Sequence, residues 1–285
     1  MQRLLVATDF SARSDRAIRR AALLARKLNA SLRLVHVVDA DQSQAMISSD
    51  VESAERLLDE TASTLRSHDQ IAADATVVVD DVQNGILAAA EEYSADLVIL
   101  GRNRPRLLDI FVGTTAERIV QQTTRPLLIA VGTPTSHYDH TLLALDFDEA
   151  SKVAARHALQ IGIFDHTDVV VMHAFDAPAE GRLRTAMEET ANVDDYVEQE
   201  RQKAARKLDA LLTELDLPNS CQTVVSIGGS PAGAILEAAR NAGSELIVMG
   251  TNQRSGFARA FVGSIAAGVI SDAHRDVLII PTADA

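Results

Sequence analysis

The sequence predicts an α/β protein made of two tandem doubly wound domains, each a five-stranded parallel sheet flanked by helices. Two observations carry this reading. The first is an internal repeat. Residues 3–10 read RLLVATDF and residues 140–147 read HTLLALDF. From there the halves run in register for about thirty residues: Asp9 matches Asp146, Phe10 Phe147, Ser14 Ser151, His36 His173 and Asp39 Asp176. The match returns at 95–101 (ADLVILG) against 244–250 (SELIVMG), and at 111–114 (FVGT) against 261–264 (FVGS). A repeat of this length is a duplicated domain rather than a short solenoid unit. The second observation is a regular alternation of short apolar runs with longer helical patterns, which implies parallel strands covered on both faces and right-handed crossovers.

The elements follow in order. In the first half, strands are predicted at 4–7, 31–38, 75–80, 96–100 and 126–131, with helices at 14–28, 48–67, 83–93 and 113–122. The helix at 14–28 places Ala17, Ile18, Ala21, Leu24, Ala25 and Leu28 on one face. The second half repeats the order, with strands near 141–145, 168–175, 221–227, 245–249 and 277–280. Its stretch 184–215 is a long charged helix, solvated on its outer face, and accounts for most of the length difference between the halves. The domains are set at 1–133 and 138–285, joined by a short linker over 132–139 in which Gly132 and Pro134 favour a turn.

Bulk composition agrees. A chain of 285 residues fits two ordinary domains. Hydrophobic residues make up 47% but aromatics only 4%, so both cores must rest on Ala, Leu, Val and Ile. A net charge of −13 repels nucleic acid and anionic membrane surfaces. It leaves room for a small anion held by main-chain N–H groups. The lone Cys221 forms no intrachain disulfide and reads as a half-buried structural thiol. The N-terminus leads straight into a strand pattern without a signal peptide, and no apolar run reaches the length of a membrane span. The cytoplasm is the expected location.

Ligands of open α/β sheets bind beyond the carboxyl ends of the strands, where strand order reverses. Three features fall there. Asp9 and Asp146 close the first strand of each half, where each reads as a ligand contact or as a turn carboxylate. His36 and His173 lie near the end of the second strand, where a packed, hydrogen-bonded histidine is the plain reading; metal-ligand spacing is not found. The third feature is residues 250–264, GTNQRSGFARAFVGS. Here glycines would let the backbone approach a phosphate, and the N–H groups of Gly263, Ser264 and Ile265 would face an anion at a helix N-terminus. A glycine turn with a Ser cap reads equally well. The first half has the same element one residue shorter, from Gly101 to Gly113 and Thr114, with Arg102, Arg104 and Arg106 between. Those arginines would grip phosphates, fill the site themselves, or meet acidic groups on a partner domain.

These motifs resemble the universal stress protein family over nearly the full length of both halves. The most specific are TDFS at 8–11, HVVD at 36–39, and RPLLIA at 125–130 after the glycine signature. The resemblance implies a Rossmann-like domain of the adenine-nucleotide alpha hydrolase type. It also implies association through the last strand, so that a tandem member forms an intrachain pseudo-dimer; pairing of whole chains into a homodimer stays open. Some members bind ATP, with magnesium if bound, and others lack the site. The family signature is Gly, two residues, Gly, nine residues, Gly, then Ser or Thr. Gly250, Gly263 and Ser264 fall in step, but Gln253 replaces the second glycine, and Arg104 takes that place in the first half. The family's ribose and adenine contacts map to Asp9 and Val37, and to Asp146 and Ala174. The second half is therefore the better nucleotide candidate. The implied role is binding of adenine nucleotide and of an unknown protein partner rather than catalysis, with weak ATP hydrolysis at most. A nucleotide-processing enzyme of the same superfamily and a structural dimerisation module with degenerate pockets stand as alternatives.

Overall fold

The computed structural model describes residues 2–102, 115–175, 190–217, 222–227, 230–253 and 263–283. Cys221, Arg104, Arg106, Gly113 and Thr114 lie outside them. The chain divides into two compact units. The first comprises Met1–His137 and takes in His274–Pro281 from the far end of the sequence.

In the first unit the strands are β1 (Arg3–Ala7), β2 (Ser31–Asp39), β3 (Ala73–Asp80), β4 (Leu97–Gly101) and β5 (Leu127–Ala130). The helices are α1 (Ala12–Leu28), α2 (Gln44–Ser67), α3 (Val82–Glu92) and α4 (Thr115–Gln122). The five strands are parallel in the order β3-β2-β1-β4-β5. The chain winds outward from β1 through β2 to β3, then crosses back to β4 and β5. Strand order therefore reverses between β1 and β4. The middle strands are buried on both faces: Leu4, Leu5, Val6, Leu97, Val98 and Ile99 are all fully buried. Each such aliphatic side chain contributes roughly 1.5–3 kcal/mol of transfer free energy. Small residues Ala17, Ala21 and Ala25 on the buried face of α1 let that helix lie close to the sheet.

Helix α1 begins two residues earlier than its apolar pattern predicts. The reason is its cap: the Ser11 side chain accepts from the Ser14 amide, which draws Ala12 and Arg13 into the first turn. Helix α2 likewise begins at Gln44 rather than 48. The helix α1 ends where Asn29 turns left-handed, at φ 49°.

A sixth strand completes the first unit. Strand β10 (Asp276–Ala283) lies antiparallel to β5, with Val277 opposite Ile129 and Ile279 opposite Leu127. The Asp276 carboxylate accepts from the amides of Val131 (2.8 Å) and Gly132 (3.1 Å) and from Arg20 Nε (2.9 Å). Arg20 Nη1 also donates to the Ser136 carbonyl at 2.8 Å. The start of the expected linker is thus held down by two buried charged side chains.

The second unit contains β6 (His140–Ala144), α5 (Glu149–Ile161), β7 (Asp168–Phe175), α6 (Thr190–Glu214), β8 (Gln222–Ile227), α7 (Pro231–Asn241), β9 (Leu246–Gln253) and α8 (Ser264–Asp272). Its parallel order is β9-β6-β7-β8. The reversal between β6 and β9 repeats that between β1 and β4. Strand β9 runs four residues beyond the predicted end, so Gly250 through Gln253 are extended chain rather than loop. The Thr251 carbonyl accepts from the Thr282 hydroxyl at 3.1 Å, which holds this extension. No described helix is long and apolar enough to cross a membrane.

Candidate functional site

The ends of β1, β2 and β4 and the starts of α1 and α4 enclose a cleft of about 120 Å³ in the first unit, at its strand-order reversal. Its walls include Asp9, Arg13, His36, Val37, Gly101 and Thr115.

The β1–α1 turn is built from short polar contacts. Thr8, buried at the end of β1, donates through Oγ1 to Ser14 Oγ (3.0 Å) and accepts from the Phe10 amide (3.0 Å). Phe10 sits at φ 57°, a left-handed conformation uncommon for a bulky residue. Its ring packs on the His36 imidazole, centroids 4.5 Å apart. His36 Nδ1 donates to the Thr8 carbonyl at 2.8 Å, which fixes the tautomer and leaves Nε2 as the other ring nitrogen. The second unit repeats this: His173 Nδ1 donates to the Leu145 carbonyl at 2.9 Å, with Phe147 4.0 Å from the ring. The plain reading of both histidines, as packed and hydrogen-bonded, agrees with these contacts.

Asp9 Oδ1 accepts from the Ser11 amide and the Ser11 hydroxyl. Asp9 is therefore a turn carboxylate, yet it is exposed and lines the cleft. Partial burial raises its carboxyl. The hydroxyls of Ser11 and Ser14, the Ser11 amide and the nearby Arg13 guanidinium outweigh that, and its pKa lies below the ordinary 3.8.

Gly101 ends β4 where it passes the start of α1. A Cβ there would lie 2.8 Å from the Arg13 carbonyl oxygen, so only glycine fits. Its place is set by this approach of two backbones, whatever else it does for a ligand.

The cleft thus brings Asp9, Val37 and Gly101 together. In the second unit, Asp146 follows β6 with its side chain 72% exposed, and its Oδ1 accepts from the Phe147 amide at 2.8 Å. Asp148 takes the capping role that Ser11 has in the first half, accepting from the Ser151 amide at 2.7 Å. Ala174 is half-buried in β7, and Gly250 lies within β9. Gly263 precedes α8, and Ser264 is its first residue. A Cβ on Gly263 would meet nothing within 4 Å, and its φ of −49° suits any residue. Among the described residues, neither packing nor conformation demands glycine there.

Sequence reasoning passed over Arg13 and Thr115 as walls of the cleft. Arg13 carried a signal: a cation in the first turn of a helix opposes the helix dipole and calls for a reason. Among the described residues, no group of three His, Cys, Asp or Glu side chains forms a metal site.

The fold, with a cleft where strand order reverses, is that of a doubly wound α/β protein. The chain belongs to the universal stress protein family, whose model matches residues 1–130 and again 137–281. It is similar to a universal stress protein of Mycolicibacterium smegmatis, at 24% identity over 97% of this chain and 96% of that one. Universal stress protein MJ0531 of Methanocaldococcus jannaschii is 28% identical over 50% of this chain and 82% of its own length. Among solved structures, a universal stress protein from Archaeoglobus fulgidus shares the fold with a TM-score of 0.68 and 20% identity. That match covers 99% of this chain and 97% of the other.

Proposed function

We propose that this chain is a binding protein whose first unit takes up adenine nucleotide, and that occupancy rather than turnover is its mode of action. The observation that carries this reading is the cleft, which gathers Asp9, Val37 and Gly101 at the reversal of strand order. Asp9 offers an exposed carboxylate to ribose hydroxyls, and the apolar wall at Val35, Val37, Val82 and Ile86 offers a face to the base. The cleft is smaller than the roughly 300–1,000 Å³ of sites that bury a drug-sized ligand. It would enclose part of a nucleotide and leave the remainder at the mouth.

The residues present fit such a ligand on a further ground: Arg13 Nε is a buried donor with no partner among the described residues, suited to an anionic oxygen. A triphosphate would bring magnesium with it as its own counter-ion. The binding mode is favoured over catalysis because the polar groups of the turn are spent on one another. Ser14 Oγ donates to the Ser11 carbonyl at 2.9 Å while accepting from Thr8, and Asp9 holds Ser11. The Ser11 hydroxyl, which donates to Asp9, is also held in the cap of α1 by the Ser14 amide.

The sequence favoured the second half for nucleotide. The cleft at Asp9 supports the first half as well, and the two halves can be tested separately. Purified protein would be denatured and the released nucleotide quantified, alongside thermal shift with ATP and magnesium. Asp9→Ala should abolish retention and shift, while Asp146→Ala should leave most of both. Wild-type protein that retains no nucleotide and shows no thermal shift would overturn the proposal.

A further inference from the structure

We infer that Arg13 is the anion-holding residue of the first-unit cleft, where its guanidinium takes the phosphate oxygens of a bound nucleotide in place of an all-glycine cradle. This deepens the proposed function and rests on it for the identity of the ligand.

Three observations converge on Arg13. It lines the cleft. Its Nε is buried and has no hydrogen-bond partner among the described residues. It also sits in the first turn of α1, where the helix dipole disfavours a cation. A buried guanidinium N–H without an acceptor is costly, and a positive charge at a helix N-terminus adds to that cost. One anion placed in the cleft relieves both.

The Asp9 carboxylate, which feels the Arg13 charge, does so only in part. Asp9 accepts from Ser11 through the amide and the hydroxyl, and no ion pair joins it to Arg13 among the described residues. The Arg13 main chain runs against Gly101, the end of β4, and Thr115 opens α4 on the same cleft. The Arg13 main chain is thus placed where the family signature begins, in a half whose sequence carries Arg104 in the position of the second glycine. A planar fork of donors suits phosphate, which accepts two parallel hydrogen bonds, better than a single ammonium would.

The test compares ATP, adenosine and inorganic pyrophosphate by isothermal titration on wild-type protein, Arg13→Gln and Arg13→Lys, with each variant's melting temperature as a check on folding. The expected result is that Arg13→Gln weakens ATP about tenfold or more while adenosine changes less than about twofold. Arg13→Lys should fall between. Equal losses of ATP and adenosine, or no loss of either, would overturn the inference while leaving the nucleotide reading in place. Wild-type protein that binds pyrophosphate in an Arg13-dependent way, but neither adenosine nor ATP, would uphold Arg13 and overturn the nucleotide reading. Binding of none of the three would overturn both.

Discussion

Arg20 Nε donates to Asp276 Oδ2 at 2.9 Å, across 256 residues of sequence, with the two side chains 7% and 2% exposed. Asp276 Oδ1 meanwhile accepts the amides of Val131 and Gly132. A buried pair of this kind gives little net stability over an apolar replacement, but losing one member strands the other charge.

Asp276→Asn is therefore expected to destabilise the protein by about 3–5 kcal/mol, because Arg20 keeps its charge and loses its carboxylate. Adding Arg20→Met should restore most of that loss. The Asn oxygen can still accept from the two amides, and no charge is left buried. Urea denaturation of the two single variants and the double variant measures the coupling; strictly additive losses would contradict this account.

Removing β10 should bare the edge of β5, whose residues Leu127, Leu128, Ile129 and Ala130 are all buried. An apolar strand with unpaired main-chain groups recruits another chain. A chain ending at residue 273 is expected to associate with rising concentration in size-exclusion chromatography, where full-length protein at the same concentrations does not shift.

Gly101→Ala should cost about 1–3 kcal/mol, since the new methyl would collide with the Arg13 carbonyl and backbone cannot swing aside as a side chain can. Gly132→Ala is the control. A Cβ there would meet only Asp276 Oδ1, at 3.8 Å, and the change should stay within about 0.5 kcal/mol. Thermal melts of the two variants give the comparison.

The lowered pKa of Asp9 fixes the sign of a pH effect. The folded state holds the Asp9 carboxylate more tightly than the unfolded chain does, so its contribution is present above about pH 3.8. That contribution is lost as pH falls through the lower folded value. The stability gap between wild type and Asp9→Asn should therefore be widest near neutrality and close on acidification. Denaturation curves between pH 7 and pH 3 would show it, and a gap that widened toward acid would refute the assignment.

Much of the fold was legible because duplication and periodicity are local signals. The face Ala17, Ala21, Leu24, Ala25 of α1 was read directly from spacing and is buried as expected. Arg20 was not, though it falls on the same stripe three residues after Ala17. A cation among core positions announces a buried partner but not where in the sequence that partner lies. Asp276 is such a partner, and no local pattern points to it. Helix starts slipped for a related reason: hydrophobic spacing marks the packed face, whereas Ser11 sets the first turn by a side-chain hydrogen bond. Within the site, Asp9 and Val37 could be picked out because they close strands. Arg13 could not, since its meaning comes from facing a cavity that several distant segments make together. The Gly250 segment was read as a loop from its glycine, but Thr251 and Gln253 continue the strand.

The antiparallel seat of β10 on β5 also has a consequence for synthesis. Asp276 lies 145 residues after Val131, so at about 5–20 residues per second the ribosome needs roughly 7–30 s to deliver it. Throughout that interval the nascent first lobe has its amides at Val131 and Gly132 unclaimed and its flank open.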